Sequence, residues 1–199
     1  MKKIRMFALG LIAFASASCA SDPRVLDRQE LEGFSTKPAT KLLIVVSSKA
    51  VSDPRVNVEI EAYKNAMTAA VQTALRPVPA QLVDITSSNS SNPLSQTLFD
   101  FRPSHVIQIS PAGSSSVNGF PVGYTWRLEV SDVSITRFAA EGGKPSGTSI
   151  KRIPAYEMKA EGDACFLTTR QAKECGASMG KLLGEALRAA PVLQIEAGT

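Results

Sequence analysis

The chain has 199 residues, of which 44% are hydrophobic and 20% are charged. This composition fits one globular domain and excludes a disordered acidic chain, a coiled coil and a multispan membrane protein. The formal net charge is +4, but residues 1–18 carry three basic residues and no acidic one. Without that segment, 19 basic residues would face 18 acidic ones, a net charge of +1. A nearly neutral domain argues against nucleic acid as a partner.

The N-terminus has the layout of a secretory signal peptide, which we place at residues 1–18. A positive stretch at residues 1–5 precedes the apolar run Met6–Ala15, and small residues follow. Ten apolar residues of helix span about 15 Å, half of a bilayer core, so the run is too short for a transmembrane anchor.

The segment Ser16-Ala17-Ser18-Cys19 resembles a bacterial lipobox, although Ser16 stands where Leu is usual. The resemblance implies that Cys19 receives diacylglycerol and further palmitate-type acyl chains and becomes the first mature residue. Ala20 then implies sorting to the outer membrane, facing the periplasm. Ordinary cleavage after Ala17 remains the alternative. It would leave three Cys in the exported protein, whereas lipidation leaves an even pair.

Residues 19–40 are predicted to be a flexible, lipid-anchored tether, because charged and small residues dominate them. The pentapeptide Ser-Asp-Pro-Arg-Val occurs at Ser21–Val25 and again at Ser52–Val56. Asp followed by Pro is typical of a helix start, with Asp as the N-cap, so both copies predict a helix start.

Residues 41–195 are predicted to form one globular domain. The continuous apolar run Lys41–Val46 is typical of a strand buried on both faces. The first predicted elements are a strand at Lys41–Val46, a helix from Pro54 to about Arg76, a strand at Leu82–Ile85, a helix at Pro93–Phe101 and a strand at Val106–Ile109. This βαβαβ order favours parallel pairing with right-handed crossovers.

The second half of the domain has an antiparallel pattern. Pro111–Gly123 is predicted to be a Ser/Gly/Pro loop, and apolar residues alternate from Tyr124 to Val130. The alternation shifts by one position at Ser131–Asp132, which predicts a β-bulge. The last predicted elements are a strand at Thr148–Glu161, edge or bulged because of Pro154, and a helix at Gln171–Ala190.

The predicted fold class is therefore α/β, a single-domain mixed sheet in the order βαβαβββα with helices packed on it. Over residues 41–191 this element order resembles small periplasmic domains: the N-terminal region of TolB, the curli-secretion lipoprotein and lipoprotein activators of peptidoglycan synthases. The resemblance rests on element order alone and implies a partner-binding role.

Cys165 and Cys175 lie ten positions apart, between the last strand and the final helix. In an oxidising envelope two such cysteines most often pair, so we predict a structural disulfide. Redox chemistry is the alternative, but it usually uses Cys-x-x-Cys spacing.

Glycines recur every fourth residue on the final helix, at Gly176, Gly180 and Gly184. Because each helical Gly costs about 1 kcal/mol relative to Ala, close packing should offset the loss. Two interpretations stay open: the helix packs tightly on the sheet or the Ala-rich first helix, or the glycines line an exposed groove for a partner helix.

The sequence offers little support for an enzyme. His105 is the only histidine, no Gly-x-Ser-x-Gly elbow supplies a nucleophile, and one His with two paired Cys does not make a typical zinc site. We predict no catalytic residue, metal or cofactor, and a local hydrogen bond for His105. Five carboxylates near the long hairpin could supply a glycosidase-like pair, but their spacing favours solvated strand edges. They are Glu129, Asp132, Glu157, Glu161 and Asp163.

Two functions from different classes remain. In the first, the chain is a non-catalytic, membrane-tethered envelope protein that binds a protein partner, with Phe120, Val122 and the three helix glycines as its contact surface. In the second, it carries a lipid or other apolar ligand in a cleft beside the sheet, lined by Tyr124, Trp126 and Phe138.

Overall fold

The computed structural model describes residues 22–32, 37–48, 54–86, 93–117, 120–138, 147–163, 165 and 168–195. Within these ranges the chain forms eight strands and three helices. The strands are β1 (Arg24–Glu30), β2 (Lys37–Pro38), β3 (Leu42–Ser48), β4 (Ala80–Thr86), β5 (His105–Val117), β6 (Phe120–Phe138), β7 (Gly147–Asp163) and β8 (Leu193–Gln194). The helices are α1 (Pro54–Ala74), α2 (Pro93–Phe101) and α3 (Thr169–Arg188).

Six strands form one mixed sheet in the order β1-β7-β6-β5-β3-β4. β3 pairs in parallel with β4 and β5, and the remaining neighbours are antiparallel. β2 and β8 form a separate two-stranded parallel pair. The predicted α/β class and mixed sheet are confirmed.

Helices cover both faces of the parallel strands, which is why β3 is apolar throughout. Leu42, Ile44 and Val46 join the larger core beneath α1 and α3. Leu43 and Val45 point the other way, into a smaller core beneath α2. The apolar run of β3 is therefore continuous because both faces of the strand are buried, as the sequence predicted.

The limits of the two long helices follow local sequence signals. α1 begins at Pro54, as the second Asp-Pro pair predicts. α3 begins one residue after Thr168, whose hydroxyl accepts a hydrogen bond from the Gln171 N–H and caps the helix. The predicted range Gln171–Ala190 is two residues late at each end.

The first Asp-Pro pair does not start a helix, and that prediction is wrong. Arg24–Glu30 instead forms edge strand β1 on β7, and Lys37–Pro38 pairs with β8. Part of the predicted tether thus belongs to the fold. Sequence reasoning did not predict β1, because six of its seven residues are exposed and they show no alternation of buried and exposed positions. Cys19 and the predicted signal peptide lie outside the described residues.

The predicted loop at Pro111–Gly123 is also wrong. β5 continues to Val117 and β6 begins at Phe120, so this stretch is a two-stranded extension, which we call the β5–β6 arm. Ser and Gly pair here through their backbone groups, and register shifts at Pro111/Gly113 and Ser115/Ser116 accommodate the poor strand formers.

A bulge lies beside the predicted position, Ser131–Asp132, but it belongs to β7 and not to β6, whose pairing with β5 continues from Val130 to Asp132 without a shift. The β6–β7 register shifts between Val130 and Ser131, which pair with Tyr156 and Pro154. The extra residue, Ala155, lies on β7 and is fully buried. Pro154 therefore occupies a bulge in an interior strand, one of the places where a sheet tolerates proline.

Candidate docking groove between helices α1 and α3

The three glycines of α3 form a close contact with α1. A Cβ atom at Gly176 would collide with the Tyr63 carbonyl oxygen, and one at Gly180 with the Met67 carbonyl oxygen. All three glycines are buried. The exposed-groove interpretation of these residues is therefore wrong, and close packing on the Ala-rich first helix is confirmed.

The spacing of four explains this contact. Residues four apart form a row along one face of a helix, and a row of glycines leaves a groove into which a neighbouring helix packs. Gly184 continues the row, where an added Cβ would collide with that of Ala74. The absence of side chains lets the two backbones approach each other directly.

On the solvent side of the same contact the two helices diverge and leave an open groove of ≈ 940 Å³. Apart from Thr73, its floor consists of alanines, which fill little of the space between the helices. They are Ala62, Ala66, Ala69, Ala70 and Ala74 of α1 and Ala177 of α3.

Charged side chains of α3 form the rim of this α1–α3 groove: Lys173, Glu174, Lys181, Glu185 and Arg188. Positive and negative residues alternate along the rim. Both acidic residues of the rim form ion pairs within α3. The Arg170 Nε lies 2.9 Å from Glu174 Oε1, and the Lys181 Nζ lies 4.0 Å from Glu185 Oε1. At the far end, Arg188 donates to the backbone oxygens of Ala74 and Arg76, at 2.8 and 3.0 Å, and closes the groove.

The two halves of the predicted partner surface belong to different elements. The glycines lie inside the helix contact, and Phe120 and Val122 lie in the first residues of β6, in the β5–β6 arm. The side chains of Phe120 and Val122 lie outside the described residues. Sequence reasoning missed the groove itself, although Ala at positions 62, 66, 70 and 74 repeats every fourth residue on α1.

The aromatic residues predicted to line a lipid cleft are packed together. Trp126 is 3% exposed and stacks on Tyr63, with ring centroids 6.0 Å apart and an angle of 9°. Tyr124 lies 5.9 Å from Trp126. Burial raises the pKa of Tyr63 well above its ordinary value. The side chain of Phe138 is not among those described.

The free space next to this cluster is small. A hollow of ≈ 50 Å³ touches Tyr63, Gly162, Asp163 and Cys175. That volume is sufficient for an ordered water and too small for an acyl chain. The described residues around Tyr124 and Trp126 therefore do not form the lipid cleft that the carrier hypothesis predicted there.

Cys165 and Cys175 form a disulfide in the structure, as the sequence predicted. Cys165 follows the end of β7 and has a positive φ of 51°. Cys175 lies in the second turn of α3, next to Gly176. The bond thus ties the sheet to the part of α3 that begins the close helix contact.

His105 lies in a buried polar cluster at the start of β5. Its Nδ1 lies 3.0 Å from the Ser104 hydroxyl oxygen, which confirms the predicted local hydrogen bond. Its Nε2 lies 3.1 Å from Asp132 Oδ1, off the line of a hydrogen bond. Lys37 Nζ approaches the other Asp132 oxygen at 3.9 Å.

This Ser-His-Asp sequence of contacts does not form a nucleophilic triad. His105 is fully buried. The Ser104 hydroxyl accepts from the Thr40 and Lys41 N–H groups and donates to the Lys41 carbonyl oxygen, so its hydrogen bonds hold the incoming chain. Burial lowers the pKa of His105, and the Asp132 carboxylate opposes that effect. The cluster is suited to fixing residues 37–41 against the sheet.

The carboxylates considered for a glycosidase-like site do not gather in one place. Glu129 and Glu157 are cross-strand neighbours. Each has a guanidinium neighbour: Arg127 lies 2.8 Å from Glu157, and Arg152 lies 3.9 Å from Glu129. Asp132 is instead buried beside His105. These residues form charge pairs on a sheet surface.

A buried lysine that the sequence analysis missed joins α1 to the edge of the sheet. Lys64 is 2% exposed and donates to Glu61 Oε1 at 2.7 Å and to the Asp84 carboxylate of β4. Burial opposes the charged form, but the hydrogen bonds to Asp84 and Glu61 outweigh it and raise the pKa of Lys64. Both carboxylates stay accessible to water, so the pair is a structural link at the edge of the sheet.

Among the described residues, no three His, Cys, Asp or Glu side chains are grouped closely enough to hold a metal ion. In the same part of the chain, no helix is both long enough and apolar enough to cross a membrane.

Comparison with known proteins leaves the family open. No family model matches the sequence, and no curated protein matches it. Among solved structures, the chain is similar to the PelC dodecamer from Paraburkholderia phytofirmans (10% identity, TM-score 0.39, 81% of this chain and 97% of that chain). It is also similar to lipoprotein GNA1162 from Neisseria meningitidis (13%, 0.28, 59% and 84%). A third is a putative neuraminyllactose-binding hemagglutinin homolog from Helicobacter pylori (7%, 0.26, 80% and 87%). At these scores the likeness carries no argument about function.

Proposed function

We propose that this protein is a non-catalytic lipoprotein of the cell envelope, anchored at Cys19 and facing the periplasm, which docks an amphipathic helix of another envelope protein. The observation that carries the proposal is the open α1–α3 groove with its alanine floor and charged rim. The lipobox-like segment and the signal-like N-terminus support the location.

The dimensions of the groove suit a helix. From Ala62 to Ala74 the floor extends over twelve residues of α1, about 18 Å at the helical rise. That length matches about three turns of a docked helix. An alanine floor allows close approach, as the contact between α1 and α3 already demonstrates on the other side.

The charge pattern of the rim further restricts which partner helices would fit the groove. Lys181, Glu185 and Arg188 alternate in sign along α3. A partner helix with small apolar residues on one face and both acidic and basic residues at its flanks would complement such a rim, in the way that flanking charges select partners in coiled coils.

An acyl chain fits this groove less well than a helix does. Sites for small apolar ligands usually enclose most of the ligand surface. Here the space is open along its length and is bordered by five charged side chains. A bound lipid would leave much of its apolar surface in contact with water.

The test is a photo-crosslinking amino acid introduced at Ala177 in the full chain, in intact envelopes. We expect one discrete adduct with another protein, whose crosslinked peptide is an amphipathic helix. The same crosslinker at Thr136, an exposed residue of β6, is the matched control and should give no such adduct. The second change Ala69→Leu, which fills the groove, should abolish the adduct at Ala177.

Other products would contradict the proposal in distinguishable ways. A dimer adduct would identify the groove as a contact between two copies of this chain, and adducts with bulk lipid would favour the carrier function. The anchor is tested separately with labelled fatty acid: Cys19→Ser should abolish the label. A wild-type chain without label would remove the lipoprotein part of the proposal and leave the groove part standing.

A further inference from the structure

The first residues of β1 and of β6 lie at the same end of the sheet. β1 and β6 are both antiparallel to β7, so they run in the same direction. Arg24 and Thr125 are both paired with Glu161 and therefore lie at the same level. Arg24, the first residue of β1, thus lies at the end of β1 that is nearer to the β5–β6 arm.

The arm projects well beyond the neighbouring strands at this end. The last pair between β6 and β7 is Gly123 with Asp163, and β6 continues towards the arm tip as far as Phe120, which pairs with Val117 of β5. From Thr125 to Phe120 the strand covers five residues, about 17 Å.

The segment from Cys19 to the first residue of β1 is similar in length to the arm. Five residue steps separate Cys19 from Arg24, which span at most about 18 Å when fully extended. Because β1 belongs to the sheet, residues 24–30 provide no slack. A lipid attached to Cys19 would therefore keep the level of Arg24 within about 18 Å of the bilayer, which is close to the length of the arm.

We propose that the tip of the β5–β6 arm, Val117 with Phe120–Val122, contacts the lipid surface beside the acyl chains of Cys19. This inference rests on the lipid anchor of the proposed function. It gives the protein a second, non-covalent membrane contact on an element that the covalent anchor does not use.

The composition of the arm suits this occupant. Residues 111–123 contain no charged side chain, and Val117, Phe120, Pro121 and Val122 give the tip an apolar composition. An uncharged segment enters the boundary between headgroups and acyl chains without the cost of desolvating an ion. Next to the base of the arm, β7 carries Asp163 and Glu161, and Glu161 is paired with Arg24. Apolar contact, and not attraction to anionic lipid, should therefore dominate.

The test uses the full lipidated protein reconstituted into phosphatidylethanolamine vesicles that contain lipids brominated near the headgroup end of the acyl chains. F120W introduces a fluorophore at the tip. T136W places the same residue towards the opposite end of β6 as the matched control. The native Trp126 is buried and contributes the same background to both variants. We expect brominated lipid to remove most of the added emission of F120W and none of that of T136W.

The possible results separate the two proposals. Labelled fatty acid on the protein together with unquenched F120W would overturn the membrane contact and leave the anchor intact. A chain without label would defeat the anchor first. Addition of phosphatidylglycerol should leave the quenching of F120W unchanged. Quenching that requires the anionic lipid would contradict apolar contact as its cause.

Discussion

Helices α1 and α3 meet along one line but have two very different sides. On the inner side, Gly176, Gly180 and Gly184 bring backbone against backbone above the sheet. On the outer side, alanines leave an open groove of ≈ 940 Å³. Both sides consist of small residues, yet on the inner side α1 and α3 are in direct contact, whereas the outer side is open to solvent.

The difference teaches how to interpret small residues on a helix. Glycine in a helix is costly, so its repeated use indicates a contact that no side chain can share. Alanine is the best helix former and costs nothing at the surface. An alanine stripe therefore persists without a packing partner in the same chain.

Gly180→Val should have the largest effect, because even a Cβ atom at this position meets the Met67 carbonyl oxygen. We expect a loss of about 3 kcal/mol or more in the free energy of unfolding, since α3 must move away from α1. Urea unfolding followed by circular dichroism measures it. Ala177→Val, the same new side chain on the outer side of α3, should cost under about 0.5 kcal/mol beyond its helix propensity. Equal losses at both positions would erase the contrast between the two sides.

Replacing both Cys165 and Cys175 with Ser should have the second largest effect. The bond closes a loop of ten residues, which corresponds to about 2.5–3 kcal/mol in the chain-entropy model. Urea unfolding of the double variant and of the reduced wild type should give similar losses. If the bond also secures the inner contact, hydrogen exchange should increase in the first turns of α3 and remain unchanged near Gly184.

Lowering the pH should separate stability from docking. The folded-state pKa of His105 lies below its ordinary value because burial disfavours the charged ring and outweighs the opposing effect of the Asp132 carboxylate, while Lys37 lowers the pKa further. As the pH falls below about 6.5, the unfolded chain takes up a proton that the folded chain does not. The free energy of unfolding should therefore decrease, by at most about 1.4 kcal/mol per pH unit. Urea unfolding between about pH 7 and pH 5 measures this slope, and His105→Gln should flatten it while crosslinking at Ala177 is unaffected.

Ala177→Leu should have the smallest effect on stability and a complete effect on docking. Ala177 is exposed, so the free energy of unfolding should change by less than about 0.5 kcal/mol. The larger side chain fills the floor of the groove and should prevent partner capture from intact envelopes. Unimpaired capture by a stably folded Ala177→Leu protein would show that the outer side is not the docking site.

The parts of the fold that sequence reasoning predicted are those in which burial leaves a pattern. The double burial of β3 requires an unbroken apolar run, and the start of α1 requires a residue that tolerates a missing N–H group, which Pro54 does. The apolar alternation of β6 shifts by one position because Val130 joins the larger core, whereas Val133 packs against the smaller core on the other face of the sheet. In each case a physical constraint selects a residue type, so the residue type reveals the constraint.

The parts that could not be predicted depend on backbone pairing or on distant partners. β1 pairs with the edge of β7 through main-chain groups, and such pairing places little constraint on the side chains of Leu26 and Asp27. The β5–β6 arm pairs through main-chain groups of Ser and Gly, which composition assigns to loops. The Lys64 link depends on Asp84, twenty residues away, and the α1–α3 groove exists only once two helices have packed.

The edge position of β1 also has a mechanical consequence. Hydrogen bonds of an antiparallel ladder lie perpendicular to the strands, and the chain towards Cys19 continues from the first residue of β1. A pull from that end loads the β1–β7 pairing, from Arg24 with Glu161 to Glu30 with Tyr156, in shear, so its bonds resist together instead of parting one after another. If β1 separates from β7, the two-residue pairing of β2 with β8 is the next pairing along the chain to carry the load.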